Sequence, residues 1–323
     1  MTAIPKERFP ENPRIIFMGT PEFAIPALEG LIHNELDVVA VVTQPDRPKG
    51  RGRKLTASPV KKLAVEHNIA ILQPEKVADT HFHDLIKRKT PDIMVVVAFG
   101  QIFNKDLLAI PEYGAINIHA SFLPKYRGAA PIQWAVMNNE SMTGLTVMRM
   151  DEGMDTGPIL YQEEVPILRD ETAGQLHDRL ALKAGDLMIR FLRHSAEGQI
   201  KEVPQDHSSA TYAPKIEKSI ALIEWSRDAV RISALIRGLD PSPGAYTTMG
   251  DKRIKLFSSR VLDETYSNGI PGRVVRTVEG SLRVETGKGV IEIGGMQYPG
   301  KKRLPPGDFL RGFELSEGTI FGE

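Results

Sequence analysis

Two runs of β-branched residues constrain the fold of this chain more than any other feature of its sequence. Residues 37–43 (DVVAVVT) and 92–98 (DIMVVVA) are apolar along nearly their whole length, and a shorter apolar run, residues 14–18, precedes them. Continuous apolar strands are typical of parallel sheets that helices cover on both faces. Helical patterns occupy residues 59–68 and 79–89. The sequence therefore predicts an α/β fold with a Rossmann-like, doubly wound and mainly parallel sheet.

The turn after the first run argues against a dinucleotide cofactor. It reads Gly19-Thr20-Pro21, whereas dinucleotide-binding turns carry Gly-x-Gly-x-x-Gly so that the backbone can approach a pyrophosphate. Ligands of such sheets nonetheless bind beyond the carboxyl ends of the strands. We therefore expect a different ligand at that edge.

The length of 323 residues predicts two domains, because one hydrophobic core rarely grows so large. The rest of the first domain is expected to contain a helix at 129–137, a hairpin of segments 143–150 and 158–165, and a long helix at 172–197. Five short alternating runs near the C-terminus predict a small, OB-like β-barrel; they span residues 245–248, 253–261, 272–278, 282–284 and 290–293. The predicted boundaries are an extension over 1–13, a catalytic domain over 14–200, a linker over 201–214 and a C-terminal domain over 215–323.

Composition restricts the possible partners and chemistry. Lys plus Arg and Asp plus Glu number 41 each, so any nucleic acid must be held by a local basic patch. The chain has no cysteine, which excludes disulfides and thiolate chemistry. With no secretory leader at its N-terminus and no apolar run of about 18 residues to span a membrane, we expect a cytoplasmic protein.

His81 and His83 point apart on a predicted surface helix, so we expect a solvated face there and no metal.

Asn117, His119 and Asp155 are the candidate catalytic residues. An amide donor, an imidazole and a carboxylate are what acyl transfer requires: stabilisation of an oxyanion, polarisation, and a group that orients the ring or accepts a proton. The Asn-x-His pair could also be the outward row of a half-buried strand, and Asp155-Thr-Gly157 an ordinary turn.

A basic segment follows the second strand. Between Asp46 and Glu66 there is no acidic residue. The prolines and glycines at residues 45–52 exclude a helix in that part, so we predict a loop there, on the ligand side of the sheet. Such a loop could grip the phosphate of a nucleotide, be merely solvated, or hold a polyanion. Its cations are Arg47, Lys49, Arg51, Arg53, Lys54, Lys61 and Lys62.

Several segments together resemble the methionyl-tRNA formyltransferases, a family within the folate-dependent formyltransferase superfamily. The Asn-x-His pair with Leu-Pro downstream and an Asp beyond identifies the superfamily, while the basic loop and C-terminal domain narrow the resemblance to the tRNA enzymes. It extends from Arg14 almost to the C-terminus. The matching segments are residues 16–23, 43–54, 95–100, 116–133 and 150–157.

This resemblance implies an activity in translation initiation. The donor would be 10-formyltetrahydrofolate, and the acceptor would be the α-amino group of methionyl-initiator tRNA. Asn117 would donate to the formyl oxygen, His119 would polarise or hold the reacting centre, and Asp155 would orient His119 and receive the amine proton. Whether His119 acts as acid, base or electrostatic group is left open by the spacing. A monomer that binds no metal, DNA or membrane is expected.

The resemblance also implies binding residues. Phe122 stands where leucine is usual in the folate-binding segment, so ordinary core packing is an alternative role for it. Arg47 matches the loop arginine that the family uses against the tRNA acceptor end, followed by Lys49, Arg51, Arg53 and Lys54. The predicted folate-binding residues are Ser121, Phe122, Leu123, Pro124, Phe99, Gly100, Asp151, Glu152, Gly153 and Met154.

Three rival functions make different demands on the sequence. A formyltransferase for a small amine, such as a sugar amine, would not need the basic loop. An aspartic-protease-like hydrolase requires two carboxylates that share a proton, and only one Asp-Thr-Gly occurs. A non-catalytic RNA-binding protein would tolerate loss of Asn117 or His119.

Overall fold

The computed structural model describes residues 9–49, 54–278, 281–313 and 315–322. Its helices are α1 (Ile25–His33), α2 (Pro59–Glu66), α3 (Thr80–Arg88), α4 (Lys105–Leu108), α5 (Pro131–Met137), α6 (Ala173–Ala196), α7 (Ala229–Gly238) and α8 (Pro306–Arg311). Its strands are β1 (Ile15–Gly19), β2 (Val38–Val42), β3 (Arg47–Lys49), β4 (Lys54–Thr56), β5 (Ile71–Leu72), β6 (Ile93–Val97), β7 (Ala115–His119), β8 (Met142–Arg149), β9 (Ile159–Pro166), β10 (Ala245–Met249), β11 (Lys252–Asp263), β12 (Val274–Val278), β13 (Ser281–Glu285) and β14 (Val290–Gln297).

The described chain forms two compact units, each assembled from separate stretches of sequence. Unit 1 comprises the described residues up to Gly128 together with 144–165 and 177–212. Unit 2 comprises 129–143, 166–176 and the described residues from Ala213 onward. Helix α5 therefore belongs to the unit that contains the C-terminal sheet, although it lies early in the sequence.

A seven-stranded sheet of order β5-β2-β1-β6-β7-β8-β9 confirms the predicted Rossmann-like fold. Strands β1, β2, β5, β6 and β7 run parallel, and β8 pairs antiparallel with β7. Every residue of β1 and β6 is buried, as expected for β-branched strands covered on both faces. Since the chain proceeds outward from β1 on one side and then returns to β6 on the other, the carboxyl ends of β1 and β6 mark a topological switch point.

Where the sequence predicts a small OB-like β-barrel, unit 2 contains an antiparallel, half-barrel sheet of five strands in the order β10-β11-β14-β13-β12. Helix α7 begins after Asp228, whose side chain accepts a hydrogen bond from the Arg231 amide as an N-terminal cap. The core under the sheet includes Trp225, which stacks on Phe321 and donates its indole N–H to Thr247 at 2.9 Å.

The basic segment differs from the predicted loop. Strands β3 and β4 pair antiparallel, with Arg47 opposite Thr56 and Pro48 opposite Leu55, and residues 50–53 between them lie outside the described ranges. Proline removes one ladder donor but is compatible with an edge strand. Its presence therefore excluded a helix without excluding a two-stranded hairpin.

The prediction of a solvated face at His81 and His83 is wrong for His83. Asp79 caps α3 by accepting from the His81 amide, and the helix phase that follows turns Phe82, His83 and Ile86 inward. The His83 side chain is buried, and its Nε2 lies 2.9 Å from the Val77 carbonyl oxygen. Only His81 of the pair faces solvent.

No described helix has the length and apolarity needed to cross a lipid bilayer.

Candidate active site

Asn117 and His119 lie on one face of β7, because alternate residues of a strand share a face. The strand is held between β6 and β8, where Val96 and Met148 pair with Asn117. Asn117 is partly exposed, and within the described part of the chain no residue makes a hydrogen bond to its side chain. Its amide N–H groups are thus available to a ligand that carries an oxygen acceptor.

The His119 ring is buried and its orientation is fixed by one backbone contact. Its Nε2 lies 2.9 Å from the carbonyl oxygen of Tyr126. A carbonyl oxygen only accepts, so Nε2 carries a proton and Nδ1 is the nitrogen that faces Asp155 Oδ2, at 3.6 Å. A second proton at Nδ1 would turn this approach into an ion pair. The pair therefore offers a defined place for one proton.

Asp155 reaches His119 from a tight turn between β8 and β9. Its Oδ2 accepts a hydrogen bond of 2.8 Å from the Gly128 amide, and its backbone has a φ of +55°. A Cβ at Gly157 would come 1.8 Å from the Arg149 carbonyl oxygen, so the turn requires glycine at that position. The glycine of the Asp-Thr-Gly segment is therefore a geometric requirement of this turn.

The turn is also held by two residues to which the sequence assigned no role. Gln205 donates its side-chain amide to the carbonyl oxygens of Asp155 and Gly157, at 2.9 and 2.7 Å. The Gln205 side-chain oxygen in turn accepts from Arg127, whose side chain is 2% exposed. Arg127 lies inside segment 116–133, which carries part of the family resemblance, so the sequence could have marked it as a candidate. Nothing in the sequence around Gln205 indicates a role for it.

The predicted folate segment 121–124 follows directly from β7 and is largely buried. Ser121 is fully buried and donates its hydroxyl to the Lys125 carbonyl at 2.6 Å, while the Leu123 amide donates to Thr146 Oγ1 at 3.1 Å. The Leu123-Pro124 peptide bond is cis. These contacts shape the backbone of the segment, and its ligand-binding role stays a prediction.

Phe122 packs against β8 at Gly144. A Cβ added at Gly144 would lie 2.9 Å from Cδ2 of the Phe122 ring, so the ring occupies the space that a side chain would need. Phe122 therefore packs against β8, and its predicted contact with the folate stays a prediction.

The other predicted folate residues lie in two loops of unit 1. Phe99 is 3% exposed and belongs to the core around Phe103, so its side chain contributes to the wall of the fold, whereas Gly100 is exposed with a φ of +85°. Because β6 and β7 are parallel neighbours, their carboxyl ends bring residues 98–100 and His119 to the same edge of the sheet. In the second loop, the segment 151–154 is exposed.

Part of the second loop is committed to its own fold. Asp151 Oδ1 accepts from the Gly153 amide at 3.0 Å and from the Thr156 hydroxyl at 2.7 Å. Met154 is 59% exposed, which leaves an apolar side chain uncovered one residue before Asp155.

The β3–β4 hairpin leaves the same edge of the sheet after β2. Arg47 Nη2 lies 3.6 Å from Glu75 Oε2, with both side chains exposed. The hairpin base is anchored more firmly by Asp46, and hydrogen bonds from Lys61 and Gln73 hold the pKa of that carboxyl below its ordinary value. Lys54 is exposed, and Arg51, Arg53 and the Lys49 side chain lie outside the described residues.

Two further observations delimit the site. The described residues contain no group of three or more His, Asp or Glu side chains that could hold a metal ion. A groove of about 560 Å³ between β5 and α3 is lined by residues 72–85, and none of Asn117, His119 and Asp155 lines it. The three candidate residues themselves offer acid–base and electrostatic chemistry.

Comparison with known proteins assigns both parts of the chain to one family. A family model described as "Formyl transferase" matches residues 13–192, and one described as "Formyl transferase, C-terminal domain" matches residues 215–314. A methionyl-tRNA formyltransferase of Geobacter sulfurreducens is 49% identical over 310 residues, covering 96% of this chain and 97% of the relative. One of Syntrophus aciditrophicus is 46% identical over 308 residues, covering 95% and 98%.

A solved structure shows the same fold at low identity. It is the sugar 3N-formyl transferase WlaRD, determined in the presence of dTDP and 5-N-formyl-THF. The TM-score is 0.65 at 20% identity, and the match covers 90% of this chain and 99% of that one.

Proposed function

The chain belongs to the formyl transferase family, and from that membership we propose that it transfers the formyl group of 10-formyltetrahydrofolate to the α-amino group of methionyl-initiator tRNA. The product is N-formylmethionyl-tRNA, which initiates translation. The observation that carries the proposal is similarity to methionyl-tRNA formyltransferases over at least 95% of the chain. It is combined with the approach of the partly exposed Asp155 to the buried His119, and with an Asn117 amide that has no hydrogen-bond partner among the described residues. The enzyme acts in the cytoplasm, as a monomer.

A folate-derived formyl donor fits the family and the edge of the sheet that holds the candidate residues. A solved relative of the same fold was determined with 5-N-formyl-THF. Residues 98–100 follow β6 at that edge, and residues 151–154 immediately precede Asp155, which reaches His119. In this proposal they and the segment 121–124 contact the pterin and its linker.

The three candidate residues then divide the work of acyl transfer. The amine nitrogen forms a bond to the formyl carbon, the bond from that carbon to folate N10 breaks, the amine gives up one proton and N10 gains one. Asn117 donates to the formyl oxygen while it carries negative charge. Its open hydrogen-bonding capacity supports this role.

His119 and Asp155 handle charge and the proton. Since Nε2 of His119 is bound to the Tyr126 carbonyl, only Nδ1 is available for exchange, on the side that faces Asp155. Asp155 receives the amine proton, directly or through water, and His119 acts as an electrostatic group whose charge Asp155 supports. The orientation of the His119 ring, fixed by the Tyr126 carbonyl, supports this assignment of roles to His119 and Asp155.

The basic hairpin supplies the contact that distinguishes a tRNA substrate from a small amine. Arg47 and Lys54 are exposed at its two strands, and cations on an exposed arm bind phosphates without reading bases. We assign Arg47, Lys49, Arg51, Arg53 and Lys54 to the acceptor end of the tRNA, and the C-terminal unit to a second tRNA contact.

One assay tests the activity directly. The full chain is incubated with 10-formyltetrahydrofolate and either initiator or elongator methionyl-tRNA, and N-formylmethionine is measured. We expect formylation of the initiator substrate, with little of the elongator. Transfer to a nucleotide-linked sugar amine and not to either tRNA would instead establish the small-amine function that the WlaRD fold also supports.

A further inference from the structure

We infer that Gln205 and Arg127 are positioning residues for formyl transfer, acting through Asp155. This inference rests on the proposed function, because it assigns a task to residues behind the carboxylate that is proposed to receive the amine proton. Neither side chain is proposed to touch a substrate. Both belong to unit 1, as does Asp155.

Gln205 fixes both ends of the Asp155 turn with a single side chain. It lies beyond α6 and is separated from Asp155 by 50 residues in sequence. Its side-chain nitrogen has two hydrogens, and both are used, towards the carbonyl oxygens of Asp155 and Gly157. The side chain is 6% exposed, so water does not readily replace these bonds.

Arg127 fixes the orientation of the Gln205 amide. Its Nε and Nη2 both donate to the Gln205 side-chain oxygen, and Nη2 also lies 3.1 Å from His207 Nδ1. Arginine only donates, so a flipped Gln205 amide would place its NH₂ group against the guanidinium and its oxygen against two carbonyls. The amide therefore has one orientation, and that orientation serves the turn.

The burial of Arg127 is costly for a purely structural residue. Its side chain is 2% exposed, and its contacts among the described residues are to a neutral amide and a histidine nitrogen, with no carboxylate within 4.0 Å. A buried charge without a counter-charge is expensive. Apolar side chains would fill this space at lower cost, which favours a role in placing neighbouring groups.

Three consecutive residues connect this arrangement to the candidate catalytic pair. The Tyr126 carbonyl holds His119 Nε2, Arg127 holds Gln205, and the Gly128 amide holds Asp155 Oδ2. The relative position of ring and carboxylate is thus set from one short segment of backbone.

Asp155 needs such support because its backbone is in the left-handed region, with a φ of +55°. A non-glycine residue stays in that region only when its surroundings determine it. With Gln205 removed, the turn would relax and the carboxylate would leave the Nδ1 side of His119. Misplacement of a reacting group by about 1 Å costs on the order of 100-fold in rate.

The test is Gln205→Glu in the full chain. Glutamate has the size of glutamine and gains an ion pair with Arg127, but when ionised it cannot donate to the two carbonyls. We expect kcat to fall about 100-fold, with KM for folate and for tRNA nearly unchanged; the melting temperature should fall, because two buried carbonyl oxygens lose their donor, while the protein stays folded at the assay temperature. Arg127→Lys keeps the positive charge but loses the pair of hydrogen bonds to the Gln205 side-chain oxygen. Its kcat should lie between those of the wild type and Gln205→Glu.

A double-mutant cycle separates positioning from general structure. In an Asp155→Asn background, measured under single-turnover conditions, Gln205→Glu should cost less than about threefold, because residues that act through one another are not additive. An equal loss in both backgrounds would overturn the inference, as would an effect confined to KM.

Two further variants separate the loss of the turn contacts from the added charge and from misfolding. Gln175→Glu introduces the same charge at a side chain whose oxygen only accepts, from the Thr172 amide, and should leave the rate unchanged. If Gln205→Glu fails to fold, the double-mutant cycle with Asp155→Asn is measured with Arg127→Lys instead. Absence of formylation by the wild type would refute the proposed function and the inference with it, whereas a wild type that formylates and a Gln205→Glu variant with unchanged kcat would overturn this inference alone.

Discussion

At the residue scale, Asp155 combines an unusual backbone conformation with hydrogen bonds on both its carboxylate and its carbonyl group. The left-handed backbone costs on the order of 1 kcal/mol for a non-glycine residue. The Gly128 amide and the Gln205 side chain bind the carboxylate and the carbonyl respectively, and these bonds offset that cost. The hydrogen bonds of the turn therefore fix the direction in which the carboxylate points.

Asp155→Asn should abolish most activity without unfolding the protein. Asparagine keeps an oxygen that can accept from Gly128 and tolerates the same backbone, but it cannot take up a proton. We expect kcat to fall by about 10²–10⁴-fold, measured as N-formylmethionyl-tRNA formed per enzyme. Asp106→Asn on the exposed first turn of α4 is the matched control. Near-normal turnover by Asp155→Asn would show that Asp155 does not receive the amine proton.

At the scale of elements, Glu163 joins β9 to α6. It accepts from Lys183 Nζ at 2.8 Å and also binds Arg190. Burial alone would raise the pKa of Glu163, yet the hydrogen bonds from Lys183 and Arg190 lower it below its ordinary value of 4.5. The carboxylate is thus more favourable in the folded chain than in the unfolded one.

Glu163→Gln should destabilise unit 1 by about 1–2 kcal/mol at neutral pH. A depressed folded pKa contributes stability that is fully present above the unfolded pKa and disappears as pH falls through the folded pKa. The difference between wild type and variant should therefore be constant near neutral pH and disappear in acid, as the pH falls through the lowered pKa of Glu163 in the folded chain. Glu164→Gln, at the exposed neighbouring position, should show no pH-dependent loss of stability when unfolding by denaturant is measured. A similar pH dependence in that variant would show that the effect does not come from the hydrogen bonds of Glu163 to Lys183 and Arg190.

The β3–β4 hairpin is the second element with a testable role. Arg47→Ala should weaken binding of methionyl-tRNA and lower the slope of log affinity against log salt concentration by about one, because one phosphate contact is lost. KM for the folate donor should not change. Arg88→Ala on the exposed end of α3 removes an equal charge elsewhere, and an equal loss of tRNA affinity in that variant would mean that net charge alone matters.

At the scale of the whole molecule, each compact unit has a core of its own. The core of unit 1 includes Phe82, Phe99 and Phe103 around β1 and β6, and that of unit 2 includes Trp225 and Phe321 under the C-terminal sheet. The three candidate catalytic residues all belong to unit 1. With a formal net charge of zero, the chain must attract a polyanion through local groups.

Folate should therefore protect unit 1 against hydrogen exchange. With 5-formyltetrahydrofolate at about 100 times its Kd, a site present only in the folded unit gains about 2.7 kcal/mol. We expect slower exchange of amides in β6 and β7, with β11 and β14 as the internal reference. Protection confined to β11 and β14 would place the folate site in unit 2 and contradict the proposed site in unit 1.

Features that depend on neighbouring residues in sequence could be predicted from the sequence. The β-branched runs specified the buried strands β2 and β6, alternation along β7 placed Asn117 and His119 on one face, and the short runs after residue 245 specified the C-terminal sheet. These features follow from side-chain periodicity and local propensity, which each segment carries by itself.

Features that depend on distant residues were decided by tertiary structure. The inward turn of His83, the pairing of β3 with β4, and the hold of Gln205 on a turn 50 residues away each require a partner that local sequence does not identify. Even the 3.6 Å approach of Asp155 to His119 depends on Gly128 and on Gln205. The sequence determined which chemical groups are available, and packing determined which of them meet, because hydrogen bonds and burial act through distance in space.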